Sequence, residues 1–482
     1  MHFDLLARIG GDDVMRRVLS EDATIRSWLD VEAALGRGLA AVGIIDGPTG
    51  DRIASACVLE SIDRDRLWDE AANVGYPILP LVTMICERLP VEDAVYVHYG
   101  ATTQDIMDSG LVLQVREALR RLDDLVGEIG DALASLVEEH RGSVMAARTH
   151  AMQAVPTTFG AKLAVFLDTF ARHRARLAAA SAEIEVVSLF GAGGTSAALG
   201  AQAPAVREAV AADLGLDDCG VPWHVARDRV LLVGQEAAAV AATCVRLGRE
   251  VIDLARLEIG EVGEADGMLR GASSTMPQKA NPISSELVVG FGAWAGAASA
   301  GLLRAVEAGH ERAAGEWQVE WAALPATLAA TAGALANARD LVVGLRVFPE
   351  RMVQNLEVDG GRLMSEAYMI VLTPHLGRGP AHDLVYNAVR RSREHDVPLR
   401  EAVRQTLTPE VWRDVEPVLP WPQGYLGTAS AICDEALRHW KESGDPATRP
   451  LSVDREPPVS SMSAPTTETA PAVGTELKEH HS

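Results

Sequence analysis

The chain contains few cysteines and few aromatic residues for its length. Its 482 residues include five cysteines, an odd number, and no Cys-x-x-Cys pair. This scarcity argues against a disulfide framework or a structural zinc site and favours a reducing, cytoplasmic location. Aromatic residues make up only 5% of the chain, so we expect alanine-rich helices that approach one another closely.

Positive charge is also scarce. Lysine and arginine number 44 against 67 aspartates and glutamates, which gives a formal net charge of −23. A chain this acidic repels nucleic-acid backbones and anionic membranes, so neither is an expected partner. A local cluster of hydrogen-bond donors can still bind a small anionic substrate.

Long, strongly hydrophobic runs are missing as well. One apolar uncharged run, 287–303, is 17 residues of mostly alanine and glycine, whereas a membrane span needs roughly 20 predominantly apolar residues. The N-terminal sequence MHFDLLARIGGDD does not predict a secretory signal, because it has no basic segment followed by a long apolar one. We therefore expect a cytoplasmic protein whose apolar helices are buried in a bundle.

Apolar residues at three-to-four spacing dominate what remains. Such stretches cover 20–42, 108–139, 158–180, 229–258, 284–307 and 325–345. They predict an all-α fold with long central helices, and only residues 91–99 form a weak candidate strand. Because the long helices are apolar around their circumference, we expect other copies of the chain to cover them in a homo-oligomer.

Changes in composition divide the chain into three helical domains and a tail. The predicted divisions are an N-terminal domain (1–107), a central long-helix bundle (108–355), a C-terminal domain (356–442) and a tail (443–482). The tail is rich in Pro, Ser, Thr and Glu and is expected to be disordered, because such a composition cannot bury a core.

A glycine-rich segment, residues 260–282, lies between two of the predicted long helices. Its sequence GEVGEADGMLRGASSTMPQKANP carries four glycines in twelve residues, followed by Ser273 and Lys279. Such a segment can open and close over a pocket, and a serine beside a lysine can act as a base. The residues alone equally allow a flexible connector whose serines cap the following helix.

Three motifs carry a family resemblance. They are GASSTMPQKANP at 271–282, HYGATTQDIMDS at 98–109 and RTHAMQAVPTTFG at 148–160. These strings resemble GSSxMPxKxNP, HxGxTSxDxxDT and RTHxQxAxPTTxG of the fumarase/aspartase superfamily, which includes argininosuccinate lyase. The resemblance covers roughly residues 1–440 and is nearest to 3-carboxy-cis,cis-muconate cycloisomerase and adenylosuccinate lyase.

The resemblance implies a fold, an assembly and a reaction class. It implies three helical domains whose central helices assemble into the 20-helix core of a homotetramer, with active sites shared between subunits. It also implies β-elimination from a succinyl-type dicarboxylate to give fumarate. No cofactor is expected, because the sequence contains neither a metal cluster nor a dinucleotide fingerprint.

The resemblance also assigns roles to individual residues. Ser273 is the general base that removes a proton from carbon, and His150 is the acid for the leaving group. Such a carbanion needs several donors converging on one carboxylate. The residues implied to contact or orient the substrate in this way are Thr102, Thr103, His98, Lys279 and Asn281.

Gln153 and Arg227 are two further candidate substrate contacts. Gln153 stands beside Met152, which occupies the place of the family's glutamine. Arg227 is a candidate carboxylate binder, or else part of an intersubunit salt-bridge set with its neighbours.

The residues alone also permit plainer roles for the other candidates. Thr102 and Thr103 are suited to capping a helix that begins near Gln104. His98 and His150 are equally compatible with satisfied core histidines.

The departures from the family pattern point to a small substrate. The positions that hold a nucleotide phosphate in adenylosuccinate lyases are occupied by Trp317 and Trp321, and the N-terminal Arg-Tyr pair is missing. His150 stands where bacterial cycloisomerases generally have tryptophan. We therefore expect a C–N lyase that releases fumarate, with nitrosuccinate as a candidate substrate. The alternatives are cycloisomerase-like lactonisation, adenylosuccinate lyase activity, or a non-catalytic structural homologue.

Overall fold

The structure is a computed structural model that describes residues 4–444. α-Helices account for most of this part of the chain, which confirms the predicted all-α class. The predicted disordered tail, 443–482, lies outside the described residues from position 445 onward.

Seven helices form the N-terminal part of the described chain. They are α1 (Leu5–Gly10), α2 (Asp13–Val18), α3 (Glu21–Ala41), α4 (Gly47–Ala56), α5 (Arg64–Val74), α6 (Ile78–Cys86) and α7 (Val91–Ala94). The longest, α3, begins where predicted, because the Ser20 hydroxyl accepts a hydrogen bond from the Ala23 N–H at 3.2 Å.

The predicted weak strand at 91–99 is wrong. The segment forms α7 and a series of turns instead. Pro90 precedes this helix, and Glu92 and Asp93 lie in its first turn, where acidic side chains stabilise the helix dipole.

Five long helices form the central bundle. The bundle consists of α8 (Thr103–Glu139), α9 (Phe159–Ile184), α11 (Asp228–Leu254), α12 (Ile283–Ser299) and α14 (Glu316–Val343), with the shorter α10 (Ala203–Leu214) and α13 (Leu302–Ala305). The sequence predicted each long helix. The predicted start of α14 at Pro325 is too late, because the proline lies inside the helix, where tertiary packing outweighs the loss of one backbone hydrogen bond.

The bundle has two ends that lie far apart. At the first end, where α8, α11 and α14 begin, Arg227 forms ion pairs with Asp108 and Glu320. At the second end, where these helices finish, strand β3 (Val262–Gly263) pairs with β4 (Arg346–Val347). The 37 residues of α8, at a rise of 1.5 Å each, separate the two ends by about 55 Å.

A β-hairpin that the sequence analysis missed lies at the second end. Strand β1 (Val144–Thr149) pairs antiparallel with β2 (Met152–Thr158). The two-residue turn, His150 and Ala151, has φ values of 51° and 65°, as a type I′ hairpin turn requires.

The C-terminal part of the described chain has its own apolar core. Its helices are α15 (Pro349–Asn355), α16 (Ser365–Leu376), α17 (Arg378–His395), α18 (Leu399–Arg404), α19 (Pro409–Val415) and α20 (Ala429–Ser443). The second core is built by α16 to α19, whereas the buried residues of α20 pack into the core of the central bundle. Val144 and Ala146 of β1 pack into this second core, so the hairpin is anchored on it. The domain boundaries at 107 and 355 stay a prediction.

Three segments of the central bundle are long and apolar enough to cross a membrane, judged by length and composition alone. They are α11, the combined α12 and α13, and α14. Only 28% of the apolar window in the second segment is buried inside the chain. The expected cytoplasmic location and the absence of membrane partners stay predictions.

Candidate functional site

Thr102 and Thr103 lie at the start of α8. Thr102 is the N-cap residue and Thr103 the first helical residue. The Thr102 N–H donates to the Asp105 carboxylate at 3.0 Å, which confirms that this threonine occupies a capping position. Its hydroxyl accepts a hydrogen bond from Arg312 Nη1 at 2.9 Å, so it faces a cationic group at the first end.

Asp105 fixes a neighbouring loop against this helix start. Its carboxylate accepts hydrogen bonds from the backbone N–H groups of Phe190 and Gly191, both at 2.9 Å, and from His224 Nε2 at 2.7 Å. Gly191 has a φ of 70°, and a Cβ there would lie 3.1 Å from the Gly100 carbonyl oxygen. The loop can therefore approach the segment before α8 closely, and Asp105 links this loop to Thr102 through hydrogen bonds.

His98 lies in the turn before α8 and is held by Glu32. Its Nδ1 donates to Glu32 Oε1 at 2.6 Å. The His98 side chain is 21% exposed, whereas that of Glu32 is fully buried. Burial opposes a charge on the ring, but the carboxylate outweighs it and the pKa of His98 is raised. His98 is thus a partly exposed residue hydrogen-bonded to a buried carboxylate at the edge of the first end, and not an ordinary core histidine.

Arg312 is a candidate site residue that the sequence analysis missed. Besides Thr102, its guanidinium contacts the Ala192 carbonyl oxygen at 3.3 Å, and its Nε is buried without a partner. The sequence offered one signal for Arg312: it lies shortly before Trp317 and Trp321, which occupy the positions that bind phosphate in adenylosuccinate lyases.

The two tryptophans pack with an aromatic residue from the N-terminal part of the chain. Trp317 stacks on Tyr76 with ring centroids 5.8 Å apart, and Trp321 meets Trp317 edge-on at 5.0 Å. Trp317 is buried and Trp321 is partly exposed. The cluster lines the first end with apolar surface.

His150 occupies the tip of the β1–β2 hairpin. It is exposed, which excludes the core-histidine alternative. The hairpin is held near its tip by Arg148, whose guanidinium makes hydrogen bonds of 2.9 and 2.7 Å to the buried Glu261 carboxylate. Asn355 donates to the same carboxylate at 2.8 Å.

The structure corrects the expectation for Gln153. Its amide nitrogen donates to the Asn355 carbonyl oxygen at 2.9 Å, and its amide oxygen is buried. Met152, in the place of the family's glutamine, is 71% exposed. Successive strand residues face opposite sides, so Met152 lies on the outer face, and Gln153, one position later, anchors the hairpin.

The segment that carries Ser273 forms a closed loop at the second end. The Asn281 backbone N–H and its side-chain amide both donate to the Gly271 carbonyl oxygen, at 2.8 and 3.0 Å. Gly271 has a φ of 66°, and a Cβ there would lie 2.3 Å from the Asn281 carbonyl oxygen, so only glycine fits. Asn281 thereby closes the loop, and Lys279 is exposed on it.

The Ser273 hydroxyl lies at the entrance of this loop. Its oxygen accepts hydrogen bonds from the backbone N–H groups of Met276 at 3.0 Å and Thr275 at 3.3 Å. The alternative that loop serines cap the next helix is wrong, because the Glu264 carboxylate accepts the first N–H groups of α12, from Ser284 and Ser285.

The structure also corrects the expectation for Arg227. Its side chain is 1% exposed and pairs with Asp108 through two contacts at 2.8 and 3.0 Å, and with Glu320. The Nη1 group additionally donates to the Trp223 carbonyl oxygen. These bonds use the whole guanidinium inside one chain, which leaves nothing for a substrate carboxylate or an intersubunit pair.

The remaining site residues fall into two groups within one chain. His98, Thr102 and Thr103 lie at the first end, and the hairpin and Ser273 loop lie at the second, about 55 Å away along α8. A single subunit therefore brings together only parts of the predicted site.

Backbone strain concentrates in both groups. Of seven non-glycine residues with positive φ in the described chain, six lie in loops at the two ends: His98, His150, Ala151, Ser196, Leu269 and His310. Each such conformation costs about 1–3 kcal/mol and tends to be retained at functional sites.

Comparison with known proteins places this architecture in a family. A family profile described as lyase matches residues 40–294. The chain belongs to the fumarase/aspartase superfamily of lyases. It is therefore an enzyme of the superfamily whose reaction forms or acts on a succinyl-type dicarboxylate.

Curated members of this superfamily match nearly the whole chain. The 3-carboxy-cis,cis-muconate cycloisomerase of Pseudomonas aeruginosa is 39% identical over 88% of this chain and 93% of its own length. Trans-aconitate decarboxylase 1 of Mycosarcoma maydis is 36% identical over 90% and 88%. The N-acetyl-S-(2-succino)cysteine lyase of Dickeya dadantii is 32% identical over 92% and 98%.

A solved superfamily structure has the same helical fold. The 3-carboxy-cis,cis-muconate lactonizing enzyme of Pseudomonas putida matches with a TM-score of 0.85 and 33% identity, covering 92% of this chain and 100% of that one. Within residues 4–444, no group of three or more His, Cys, Asp or Glu side chains is arranged to bind a metal ion. The expected absence of a cofactor stays a prediction.

Proposed function

We propose that this enzyme is a homotetrameric C–N lyase. In this proposal it eliminates a nitrogen leaving group from a small succinyl-type dicarboxylate to give fumarate, and its candidate substrate is nitrosuccinate, which releases nitrite. The observation that carries the proposal is the environment of Ser273, whose hydroxyl oxygen accepts two backbone N–H groups. Donors aimed at this oxygen favour its alkoxide form, which a serine general base requires.

The chemical step uses this alkoxide to remove a proton. The Ser273 oxygen takes the proton from the carbon beside a substrate carboxylate, and the electron pair left on carbon forms the double bond. The bond to nitrogen then breaks, and its electrons leave with the nitrite. The exposed Lys279 supplies positive charge that stabilises the carboxylate as it gains charge in the transition state.

The contacts to the second substrate carboxylate come from the first end. The hydroxyls of Thr102 and Thr103 bind the second carboxylate, and His98 provides an adjacent charged donor. His150 at the hairpin tip hydrogen-bonds the departing group. Nitrite is a weak base and needs little protonation, so an exposed histidine without an ordering partner is adequate for this role.

Subunits must share the site if both groups of residues act on one substrate. Antiparallel packing of two bundles sets the second end of one chain beside the first end of another, which removes the separation of about 55 Å along α8. The weakly buried segment of α12 and α13 supplies apolar surface for such packing.

The aromatic cluster supports a compact substrate. Tyr76, Trp317 and Trp321 fill the first end with ring contacts, and a phosphate ester gains no charged partner from such a surface. This argues against adenylosuccinate.

Cycloisomerisation of a carboxymuconate is the second candidate. It is favoured by the 39% identity to the Pseudomonas aeruginosa cycloisomerase. The presence of His150 argues against it, because ring closure needs no acid at that position.

A panel of substrates tests these proposals. The purified protein is incubated separately with nitrosuccinate, adenylosuccinate, argininosuccinate and aspartate while fumarate absorbance and nitrite are measured. N-acetyl-S-(2-succino)cysteine, trans-aconitate and 3-carboxy-cis,cis-muconate serve as comparison substrates, the last assayed for lactone. We expect fumarate and nitrite in equal amounts from nitrosuccinate. Lactone formation alone would establish the second candidate, and fumarate from none of the succinyl compounds would reject the first.

A further inference from the structure

His98 and Glu32 form a pair in which only His98 belongs to one of the three sequence motifs. His98 opens the motif at 98–109, whereas Glu32 is on α3, 66 residues earlier. The two side chains meet at 2.6 Å, which is shorter than an ordinary neutral N–H···O hydrogen bond, as a charged donor and acceptor favour.

Glu32 has no other source of charge compensation among the described residues. Its Oε2 atom is buried and accepts no hydrogen bond, and His98 is the sole partner of Oε1. A buried, unpaired carboxylate is strongly unfavourable. The carboxylate therefore favours a protonated imidazole, while the other nearby titratable groups, Asp105, Cys57 and Cys86, contribute no positive charge.

The backbone and the carboxylate together fix the direction of the ring. His98 has a φ of 60°, a conformation that costs energy unless neighbouring contacts hold it. With Nδ1 occupied by Glu32, the free ring nitrogen is Nε2, and the side chain is 21% exposed. The turn that carries it leads directly to Thr102 and Thr103.

We propose that Glu32 is a positioning residue that holds His98 as a charged Nε2–H donor to the substrate carboxylate bound by Thr102 and Thr103. This inference rests on the proposed function for its ligand, a succinyl-type dicarboxylate. It adds a residue that touches no substrate and acts only through the imidazole.

The main test compares Glu32→Gln with a matched control, Glu21→Gln. Glu21 is on the same helix and bonds only the Trp68 indole at the surface. For Glu32→Gln we expect KM at neutral pH to rise by about tenfold or more, because a charge-assisted contact to the substrate is lost. We expect kcat to change much less. The wild-type KM should rise with pH as His98 loses its proton, and this rise should begin at lower pH in Glu32→Gln. Glu21→Gln should match the wild type.

A second readout needs no substrate. Histidine labelled with ¹³C at Cε1 gives an NMR titration of each ring, and the His98→Gln variant identifies the His98 signal. We expect the His98 pKa to fall by about 1 or more in Glu32→Gln. Glu32→Asp, which keeps the charge but shortens the side chain, should leave that pKa elevated and still raise KM.

The outcomes separate this inference from the proposed function. An unchanged His98 titration in Glu32→Gln, or a shifted titration with unchanged KM, overturns the positioning role. Failure of the wild type to act on any succinyl compound rejects the proposed function and with it the ligand assigned here. In that case the titration still decides whether Glu32 controls the charge of His98.

Discussion

Arg312 donates a hydrogen bond from Nη1 to the hydroxyl of Thr102, joining the segment before α14 to the start of α8 at 2.9 Å. The two residues are 210 positions apart in sequence. The bond orients the Thr102 oxygen and leaves a cationic group beside it, so the proposed substrate carboxylate would contact both at this point.

The first prediction concerns Arg312→Ala. Hydrogen bonds to charged groups contribute about 1.5–3 kcal/mol, which corresponds to roughly 10–100-fold in affinity. We expect KM for the succinyl substrate to rise within that range while the melting temperature changes little. Steady-state kinetics on fumarate release provides the measurement. Arg304→Ala is the control, because Arg304 is exposed and pairs only with Glu307; equal kinetics for the two variants would remove Arg312 from the site.

The second prediction concerns Ser273→Ala. Without the hydroxyl there is no base to take the carbon-bound proton, so kcat should fall by about 10²–10⁴-fold or more. The folded state should be unaffected, because the hydroxyl is bonded only within its own loop. The assay is fumarate release, with thermal unfolding and sedimentation as controls of folding and assembly. Ser274→Ala, an exposed neighbour, should keep most of the activity. Turnover by Ser273→Ala at the wild-type rate would exclude the serine as base.

The long helices could be predicted from sequence because their signals are local. Ser20 and the acidic residues after it mark the start of α3, and apolar spacing marks the bundle. The β1–β2 hairpin could not, because its turn residues His150 and Ala151 are not the usual asparagine and glycine.

Candidate site residues could be named from sequence only where a motif carried them. Ser273, Thr102 and His98 lie within contiguous strings, whereas Arg312 and Glu32 reach Thr102 and His98 at the first end only through the fold. Arg227 was misassigned for the same reason: its partners Asp108 and Glu320 are 119 and 93 residues away, and no local pattern reveals such a network.

The third prediction concerns the stability of that buried network. Arg227→Met leaves Asp108 and Glu320 as two buried carboxylates without their cation. Removing one partner of a buried ion pair costs about 3–5 kcal/mol, and we expect a loss of at least this size in the free energy of unfolding. Urea denaturation at fixed protein concentration measures it. Arg304→Met, at an exposed pair, should change stability by less than about 1 kcal/mol; similar losses in both variants would contradict a structural role for Arg227.

The fourth prediction concerns the pH dependence of the same network. One guanidinium and two carboxylates leave a buried net negative charge, and burial, aided by Glu320 and opposed by Arg227, raises the pKa of Asp108 to about 6. An unfolded aspartate releases its proton near pH 4. Between about pH 4 and 6 the native state therefore holds a proton that the unfolded state has lost, so this residue lowers the free energy of unfolding as pH rises.

Asp108→Asn isolates this effect, because asparagine cannot titrate. Two pKa units correspond to about 3 kcal/mol at most, so between pH 4 and 7 the wild type should lose up to that amount relative to the variant. Above about pH 7 the difference between the two proteins should be constant. Urea denaturation of both proteins across this range provides the measurement, with Asp253→Asn, at an exposed pair with Arg256, as the matched control. Parallel stability curves for the wild type and Asp108→Asn would show that Asp108 is ionised throughout, and that Arg227 outweighs both its burial and the neighbouring Glu320.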